Sequence, residues 1–367
     1  MRYRSWQLIL SMIAVGMSAR LAAGQESPPH HAPLVYRHYF GDLHSHTQYS
    51  DGAMGRNAKP NVPADHFRLA KETGHDFYAV TDHALKKYPN FTPESYEDTK
   101  RQADLFTDET FVGIAGFEFS ENDGPDGRGH MNAYNTTSYL DATGPKVGIE
   151  IFYDWLEKNQ TTTVVASFNH PKPSSYNSFA YLTPERRDLV TMFEVVNGGK
   201  VNYETFLVAL KHGWRVAPIA TTDTHGLLRI SRHFYRTGVL ALELTREQLL
   251  NAIRERRVYA TFDQNLRLTM WGNDRIMGSV LDSEGVDAMK FKIEATDPDE
   301  ANADDRVTRI ELIGKDGAVL ASQEFAEHSV TWTPMVAADQ PYYFALVYSD
   351  DKTDGPTAHS APVWLEE

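Results

Sequence analysis

Histidine and aspartate residues are concentrated in short polar segments that directly follow apolar runs. The first segment, "GDLHSHTQYSDG" at residues 41–52, contains His44 and His46, two residues apart, and the pair Asp223 and His225 has the same spacing. Residues two apart on a strand point to the same side, so each pair can bind one ion. Imidazole and carboxylate groups suit zinc, manganese or iron. The spacing therefore predicts a metal site.

Further histidines and carboxylates occur at the ends of later apolar runs. A lone histidine there is more often an ordinary hydrogen-bonded residue, but its recurrence at the same end of successive predicted strands favours metal ligation. A catalytic zinc takes three protein ligands and leaves one position for water, so this set exceeds the needs of one ion. We therefore predict more than one divalent ion (zinc, manganese or iron). The predicted ligands are His44, His46, Asp51, His83, Glu118, His130, His170, Asp223 and His225.

The elements that must position these residues are predicted from hydrophobic periodicity. From Tyr36 onward, short apolar runs alternate with helical patterns, which is typical of strand–helix units in an α/β protein. Helices are predicted at "PADHFRLAKETG", with Pro63 early and Gly74 at its end, and at "TREQLLNAIRER", where Thr245 and Gln248 have capping-box spacing. The carboxyl ends of parallel barrel strands open on one face, so residues far apart in sequence converge there. The predicted strands are "HYFGDLHSH", "FYAVTDH", "FVGIAGFEFS", "GHMNAYN", "TVVASFNHP", "LVTMFEVVNG", "RVAPIATTDTH" and "TGVLALEL".

The two ends of the chain differ from this pattern. After about Asp263, alternating strands without helices are typical of a β-sandwich, with "KDG" as one hairpin turn. At the start, Arg2 and Arg4 precede an apolar run that is shorter than the ~20 residues needed to span a bilayer and ends in small residues, as in a cleaved secretory signal. We therefore predict a signal peptide at 1–24, a linker at 25–35, a barrel at 36–263 and a β-sandwich at 264–367, in a periplasmic or secreted protein.

The composition excludes several classes of function. The chain of 367 residues has 36 basic and 50 acidic residues, and its net charge of −14 disfavours nucleic acid and anionic membranes as partners. Without cysteine it has no thiol nucleophile, thiolate ligand or disulfide. The predicted barrel also lacks the Gly-x-Ser-x-Gly motif of serine hydrolases. We expect a small-molecule ester substrate, no nucleic acid and no stable membrane insertion after signal cleavage.

Six motifs in order resemble those of the polymerase and histidinol phosphatase (PHP) domain metallohydrolases. They are "DLHSHTQYSDG", "AVTDH", "GFEFS", "GHMNAY", "FNHP" and "TTDTH", spanning about residues 40 to 226. The resemblance implies an α/β fold with a distorted (β/α)7 TIM-like barrel, followed here by the small all-β sandwich, and a trinuclear metal site. It further implies one ion held by His44, His46, Glu118 and Asp223, a second by Glu118, His130 and His170, and a third by Asp51, His83 and His225.

The signal peptide, the segment "LTREQLLNAIRERRVYATFD" and the tail resemble an exported branch of this family that includes the carbaryl hydrolases. The predicted function is an exported hydrolase that uses a metal-bridging hydroxide, with a phosphoesterase favoured and a carboxyl or carbamate ester hydrolase as the alternative. A different class stays open, in which the barrel is vestigial and the sandwich binds a glycan or partner. Trp271, Trp332 or Tyr342 would line its groove, although core packing is the more common role of such aromatics.

Further catalytic candidates are predicted from charged residues close to the ligand segments. Lys172, Arg128 and Arg232 could meet the charge that develops on the attacked oxygen, although each could equally be a solvated surface cation. Asp82 and Asn169 adjoin predicted ligands and could hold an imidazole in one tautomer. The oligomeric state and the native metal stay open at this point.

Overall fold

The computed structural model describes residues 34–53, 59–121, 129–233, 235–349 and 355–366. The predicted signal peptide and most of the predicted linker lie outside these residues. The helices in the described ranges are α1 (Pro63–Glu72), α2 (Pro93–Phe106), α3 (Ile149–Lys158), α4 (Ser175–Phe179), α5 (Pro184–Leu189), α6 (Tyr203–Lys211) and α7 (Arg246–Arg254). None of these described helices is long and apolar enough to cross a bilayer.

Most strands of the first two thirds of the chain lie in the predicted apolar runs, whereas Lys200–Val201 and Val258–Thr261 lie outside them. They are β1 (Arg37–Asp42), β2 (Ser45–His46), β3 (Phe77–Val80), β4 (Val112–Glu121), β5 (Gly129–Tyr134), β6 (Val165–Asn169), β7 (Val190–Asn197), β8 (Lys200–Val201), β9 (Ala217–Thr221), β10 (Thr224–His225), β11 (Arg236–Ala241) and β12 (Val258–Thr261). The strands of the last third are β13 (Arg267–Gly272), β14 (Arg275–Ile276), β15 (Val280–Asp282), β16 (Ala288–Thr296), β17 (Val307–Ile313), β18 (Val319–Glu327), β19 (Ser329–Trp332), β20 (Met335–Ala337), β21 (Tyr342–Ser349), β22 (Ala358–Ser360) and β23 (Val363–Glu366).

The first set of strands forms a sheet that curves almost into a ring. Its hydrogen-bonded order is β12-β11-β1-β3-β4-β5-β6-β7, and β9 pairs with β7 on the far side. β9 and β11 are joined through the side chain of Thr237. Its Oγ1 accepts a hydrogen bond from Ala220 N (3.2 Å) and donates one to Ala220 O (2.9 Å). Helix α7 packs against β4, β6, β7 and β11. The mixed α/β class is confirmed, and the distorted (β/α)7 barrel stays a prediction.

The direction of β5 differs from the sequence-based expectation of parallel strands. β5 runs antiparallel to both β4 and β6, whereas β3–β4, β6–β7 and β7–β9 are parallel. β11, which was also expected to be a parallel barrel strand, runs antiparallel to β1. Only residues 122–128 separate β4 from β5, and a parallel crossover needs a dozen or more residues. Because β5 is reversed, His130 near its start lies at the same edge as the carboxyl ends of its parallel neighbours.

Two sheets with a shared apolar core make up the last third of the described chain. One contains β13, β14, β16, β19 and β20, and the other contains β15, β17, β18, β21, β22 and β23. Phe291 and Tyr343 meet between the sheets with ring centroids 5.2 Å apart. The second sheet continues into the barrel strands because β22 pairs with β12. The residues from Tyr36 onward cluster as one compact unit, and the domain boundary at residue 263 stays a prediction.

The predicted helix boundaries follow the local capping chemistry. α1 begins at Pro63, whose missing N–H costs nothing in the first helical turn, and Gly74 follows its end with φ +82°. Thr245 precedes α7 and its hydroxyl accepts from Gln248 N at 3.2 Å. In α4 the residues Tyr176–Ser178 have positive φ, so this segment is a left-handed turn.

Candidate metal centre

Glu118 on β4 lies at the centre of the predicted ligands. Its side chain is fully buried, and its two oxygens face five imidazoles. Oε1 lies 3.3–3.4 Å from nitrogens of His44, His130 and His170, and Oε2 lies 2.6 Å from His83 Nδ1 and 3.6 Å from His46 Nε2. Oε1 therefore faces His44 of the first predicted set together with both histidines of the second, and Oε2 faces His46 of the first set and His83 of the third. One carboxylate thus contacts members of all three predicted sets.

The spacing of donor atoms around His44 and His46 fits a metal ion. His44 Nε2 and His46 Nε2 are 3.0 Å apart, and Asp223 Oδ1 lies 3.5 and 3.1 Å from them. Ligand atoms of a tetrahedral ion with bonds of ~2.0–2.1 Å lie roughly 3.3–3.4 Å apart. These distances, together with 3.3 Å from His44 Nε2 to Glu118 Oε1, match that spacing.

The third predicted set also converges, with His46 beside it. Asp51 Oδ1 lies 3.3 Å from His225 Nε2, and Asp51 Oδ2 lies 3.5 Å from His83 Nε2. A short parallel ladder between β2 and β10 pairs His46 with His225 and brings their rings to 4.5 Å. Ligand atoms of His46, Asp51, His83 and His225 all lie within 4.8 Å of one another. The structure thus brings all nine predicted ligands into one cluster, with His46 and His83 each adjoining two sets.

Buried atoms of the cluster are left for an additional ligand. Asp51 Oδ1 and His130 Nδ1 have no hydrogen-bond partner among the described residues, although such buried atoms are normally paired. Burial lowers the pKa of His44, but the carboxylates of Asp223, Glu194 and Glu118 outweigh burial and raise it well above its ordinary value. The site therefore carries a negative potential that a cation would neutralise, and its donor set fits divalent metal ions.

Two of the predicted ligands have strained backbone conformations. His170 has φ +31° and Asp223 has φ +47°, in a region that residues other than glycine rarely adopt. Such strain persists only where surrounding contacts over-determine the conformation, and it is frequent at functional sites. Both residues directly follow a strand or its end loop, and the strained turns bring His170 to Glu118 and Asp223 to His44 and His46.

Two buried carboxylates that the sequence analysis missed hold these turns in place. Glu194 on β7 accepts from His170 N at 2.5 Å and from His44 Nδ1 at 2.7 Å. Asp42 on β1 accepts from the backbone N and the hydroxyl of Thr222, next to Asp223. The signal was present in the sequence, because a carboxylate inside the apolar run "LVTMFEVVNG" is rarely buried without partners.

Asp82 and Asn169 have contacts other than the expected bonds to imidazoles. Asp82 accepts four hydrogen bonds from the backbone and hydroxyl groups of Thr47 and Ser50, which shape the loop after His46. Burial raises the pKa of Asp82, and these hydrogen bonds oppose the shift. Asn169 donates to Glu118 Oε1 at 2.9 Å and therefore orients the carboxylate. Both residues act through groups next to the imidazoles.

Two cavities open beside the cluster. The Lys172–Lys200 cavity, of about 310 Å³, has described lining residues that include His170, Lys172, Asn197, Lys200, Asn202 and Asp223. The Leu227–Leu228 cavity, of about 470 Å³, has described lining residues that include Gly52, Lys59, His225, Leu227, Leu228 and Arg229. No Phe, Tyr or Trp is among the described residues that line either cavity.

The cations at these cavities differ in part from the predicted ones. Lys172 lines its cavity as expected, Arg128 lies outside the described residues, and Arg232 lines neither cavity. Arg229 lines the Leu227–Leu228 cavity instead, because it follows His225 on a short helical turn. If Gly198 carried a Cβ atom, that atom would lie 3.9 Å from Arg229 Nη1. The guanidinium of Arg229 therefore reaches the β7–β8 hairpin. The helical turn at residues 227–229 sets the position of Arg229, and no sequence motif marks that position.

The aromatic residues of the sandwich divide between the core and the surface. Trp332 and Tyr342 are buried, as core packing predicts. Trp271 lines a cavity of about 440 Å³, where the ammonium of Lys292 lies 4.9 Å from its ring centroid. The described residues therefore do not bring these three aromatics together in one open groove.

The fold of this chain agrees with that of a known structure. No family model and no curated protein sequence matches the chain. A two-domain protein from Bacteroides vulgatus ATCC 8482 that contains a predicted PHP-like metal-dependent phosphoesterase is 17% identical, with a TM-score of 0.50 over 89% of this chain and 95% of that chain. The expected resemblance to PHP proteins is thereby confirmed for the fold.

Two further structures match over shorter stretches. PsfC from Pseudomonas syringae PB-5123 is 16% identical, with a TM-score of 0.37 over 55% of this chain and 82% of that chain. An amidohydrolase from Chromobacterium violaceum with bound sulfate and no metal is 14% identical, with a TM-score of 0.30 over 53% of this chain and 90% of that chain.

Proposed function

We propose that this protein is a metal-dependent hydrolase of the PHP type that cleaves small-molecule phosphoesters. The observation that carries the proposal is the convergence of the nine predicted imidazole and carboxylate ligands into one cluster that contains the buried Glu118. His44, His46, Glu118 and Asp223 would hold one ion, Glu118, His130 and His170 a second, and Asp51, His83 and His225 a third.

Bound divalent ions would lower the pKa of water towards neutrality and neutralise charge on the attacked oxygen. The chain's own residues fix the positions of the groups that hold the ions. Burial acts to raise the pKa of Glu118, but His83, His44 and His130 hold it well below its ordinary value, so this residue is a carboxylate at neutral pH. Asn169 and the neighbouring imidazoles keep its two oxygens pointing in different directions.

The cations around the cluster favour a phosphoester over a carbamate. Lys172, Lys200 and Arg229 border the cavities next to predicted ligands, in a chain whose net charge is −14. A phosphoryl group carries more negative charge than a carbamate, and Lys and Arg bind such groups through charge-assisted hydrogen bonds. The aromatic leaving group of a carbaryl-type substrate would find no aromatic partner among the described lining residues.

One pair of substrates tests this choice directly. 1-Naphthyl phosphate and 1-naphthyl N-methylcarbamate release the same naphthol, so a single fluorescence assay measures both. The mature protein is loaded separately with manganese, zinc and iron, and the metal-free protein is the blank. We expect a kcat/KM for the phosphate at least about tenfold above that for the carbamate, equivalent to ~1.4 kcal/mol in transition-state binding.

A higher kcat/KM for the carbamate would overturn the phosphoesterase proposal in favour of the carbamate alternative. Activity that is equal in the metal-loaded and metal-free protein would overturn the metal-dependent mechanism. Phosphodiesters and carboxyl esters complete the panel and rank the remaining ester classes.

We also propose that the chain is exported, on the basis of the arginine-flanked apolar segment at its start. The mass of the protein recovered from the periplasm or the medium checks this. We expect a mature chain that begins near Gln25, and recovered protein that retains residues 1–24 would contradict it.

A further inference from the structure

We propose that the Lys172–Lys200 cavity binds a second anionic group, a carboxylate or phosphate, on the part of the substrate that does not react. This inference rests on the proposed function for the identity of the occupant as a substrate group. The cavity is bordered on one side by His170 and Asp223, two predicted metal ligands, and extends away from them between two elements that each supply a lysine.

The first element is the β7–β8 hairpin. Its turn consists of Gly198 and Gly199, which both have positive φ, as a tight two-residue hairpin requires. The hairpin pairs Lys200 with Asn197, and the Asn197 amide donates to Glu194 Oε2 at 2.8 Å. Because Glu194 also contacts His44, the hairpin that carries Lys200 is anchored to the metal cluster.

The second element is the turn that follows β6. Lys172 N donates to Ser175 Oγ at 3.0 Å, and Ser175 N donates to Lys172 O at 2.9 Å. This pair of hydrogen bonds fixes the backbone from which the Lys172 side chain extends. The turn continues from His170, whose own N–H is held by Glu194. Both lysines are therefore tied through Glu194 to the same predicted ligands.

The charge balance of the cavity favours an anion. Neither Lys172 nor Lys200 has an ion-pair partner among the residues that the structure describes, although acidic residues outnumber basic ones in the chain. The acidic lining residue is Asp223, whose Oδ1 faces His44 and His46. Two exposed lysines thus line a space in which the one acidic side chain among the described lining residues already contacts imidazoles.

The size of the cavity separates this site from the reaction centre. A volume of about 310 Å³ lies at the lower end of the range for small-ligand pockets and exceeds what the reacting phosphoryl group alone would fill. Its polar lining also contrasts with the Leu227–Leu228 cavity on the His225 side, where Leu228 is 70% exposed. A substrate with a second anionic end therefore fits the Lys172 side, whose described lining residues include no leucine.

Phosphonates test the inference without turnover, because their C–P bond resists hydrolysis. Calorimetry on the metal-loaded mature protein compares propylphosphonate with 3-phosphonopropionate and with propane-1,3-bisphosphonate. The three share one phosphonate and differ at the far end, which is a methyl, a carboxylate or a second phosphonate. We expect the two charged-end ligands to bind at least about tenfold more tightly, the lower range for hydrogen bonds to charged groups, and the tighter of the two identifies the preferred anion.

Lys172→Gln and Lys200→Gln should reduce this preference several-fold and leave propylphosphonate binding nearly unchanged. Lys158→Gln, on the exposed end of α3 and away from both cavities, is the matched control and should keep the preference. Equal binding of the three ligands to the wild type, or an unchanged preference in both lysine variants, overturns the inference. A preference that persists in a protein inactive on 1-naphthyl phosphate would reject the proposed function and leave this binding site supported.

Discussion

Glu194 offers a sharp test of how the predicted metal ligands are kept in position, because its side chain is fully buried. Each of its oxygens accepts two hydrogen bonds. Oε1 accepts from His44 Nδ1 and Thr221 Oγ1, both at 2.7 Å, and Oε2 accepts from His170 N at 2.5 Å and Asn197 Nδ2 at 2.8 Å. The Nδ1–H of His44 is thus committed to Glu194, which leaves Nε2 free to face Glu118 and Asp223.

Glu194→Gln keeps the shape of the side chain but replaces one acceptor oxygen by an NH2 group. If the NH2 faces His44, Nδ1 of His44 must accept a hydrogen bond from it. The ring hydrogen of His44 then lies on Nε2, which cannot ligate a metal. If the NH2 faces His170, Asn197 can rotate its amide, but the backbone N–H of His170 loses its acceptor. An unsatisfied buried donor costs ~1–3 kcal/mol, and loss of a carboxylate that orients a metal ligand typically weakens metal affinity by ~10–100-fold.

The assay measures two quantities on one sample. A titration with a competing chelator, with the bound metal quantified by mass spectrometry, gives the affinity of the protein for its metal ions. Urea unfolding of the metal-free protein gives its free energy of unfolding. We expect a 10–100-fold weaker affinity for at least one ion, or a loss of ~1–3 kcal/mol in stability, depending on which way the amide turns. Glu204→Gln, exposed on α6, is the matched control. A Glu194→Gln protein with wild-type values of both would refute the reasoning.

Three further changes test the cluster and the fold. Glu118→Gln should lose at least one equivalent of metal and nearly all turnover while still folding, and a fully metallated, active variant would show that Glu118 is not a bridge. His46→Ala should lower metal content and activity by several orders of magnitude, whereas His212→Ala, exposed at the end of α6, should leave both near wild type, so equal losses would reject the ligand assignment. Burial lowers the pKa of His359 to about 4, so its neutral folded form stabilises the protein above the unfolded value of about 6.5, and this contribution is lost as the pH falls from 6.5 to 4. Urea unfolding at pH 7 and at pH 4 measures this loss. Between the two pH values, the free energy of unfolding of His359→Leu should fall by up to ~3 kcal/mol less than that of the wild type. An identical pH dependence in both proteins would contradict the assignment.

The sequence by itself determined most of the strands of the first two thirds of the chain and the starts of two helices, and it predicted the ligand set. Apolar runs of strand length need no distant partner to be recognised, and a Pro63 or Thr245 at a helix start acts within one turn of the chain. The two-residue spacing of His44 and His46 is equally local. The predicted ligands could be named for this reason, although the sandwich boundary and the export signal stay predictions.

Only the tertiary structure decided how these residues are held. The direction of β5, the pairing of His46 with His225, and the contact between His44 and Glu194, 150 residues apart, all depend on long-range hydrogen bonds. Arg229 in place of Arg232 depends on the course of a short helical turn. A residue pattern records which side chains suit burial or ligation, but a buried carboxylate acquires its role from whichever donors the completed fold packs against it, and that packing has no local signature.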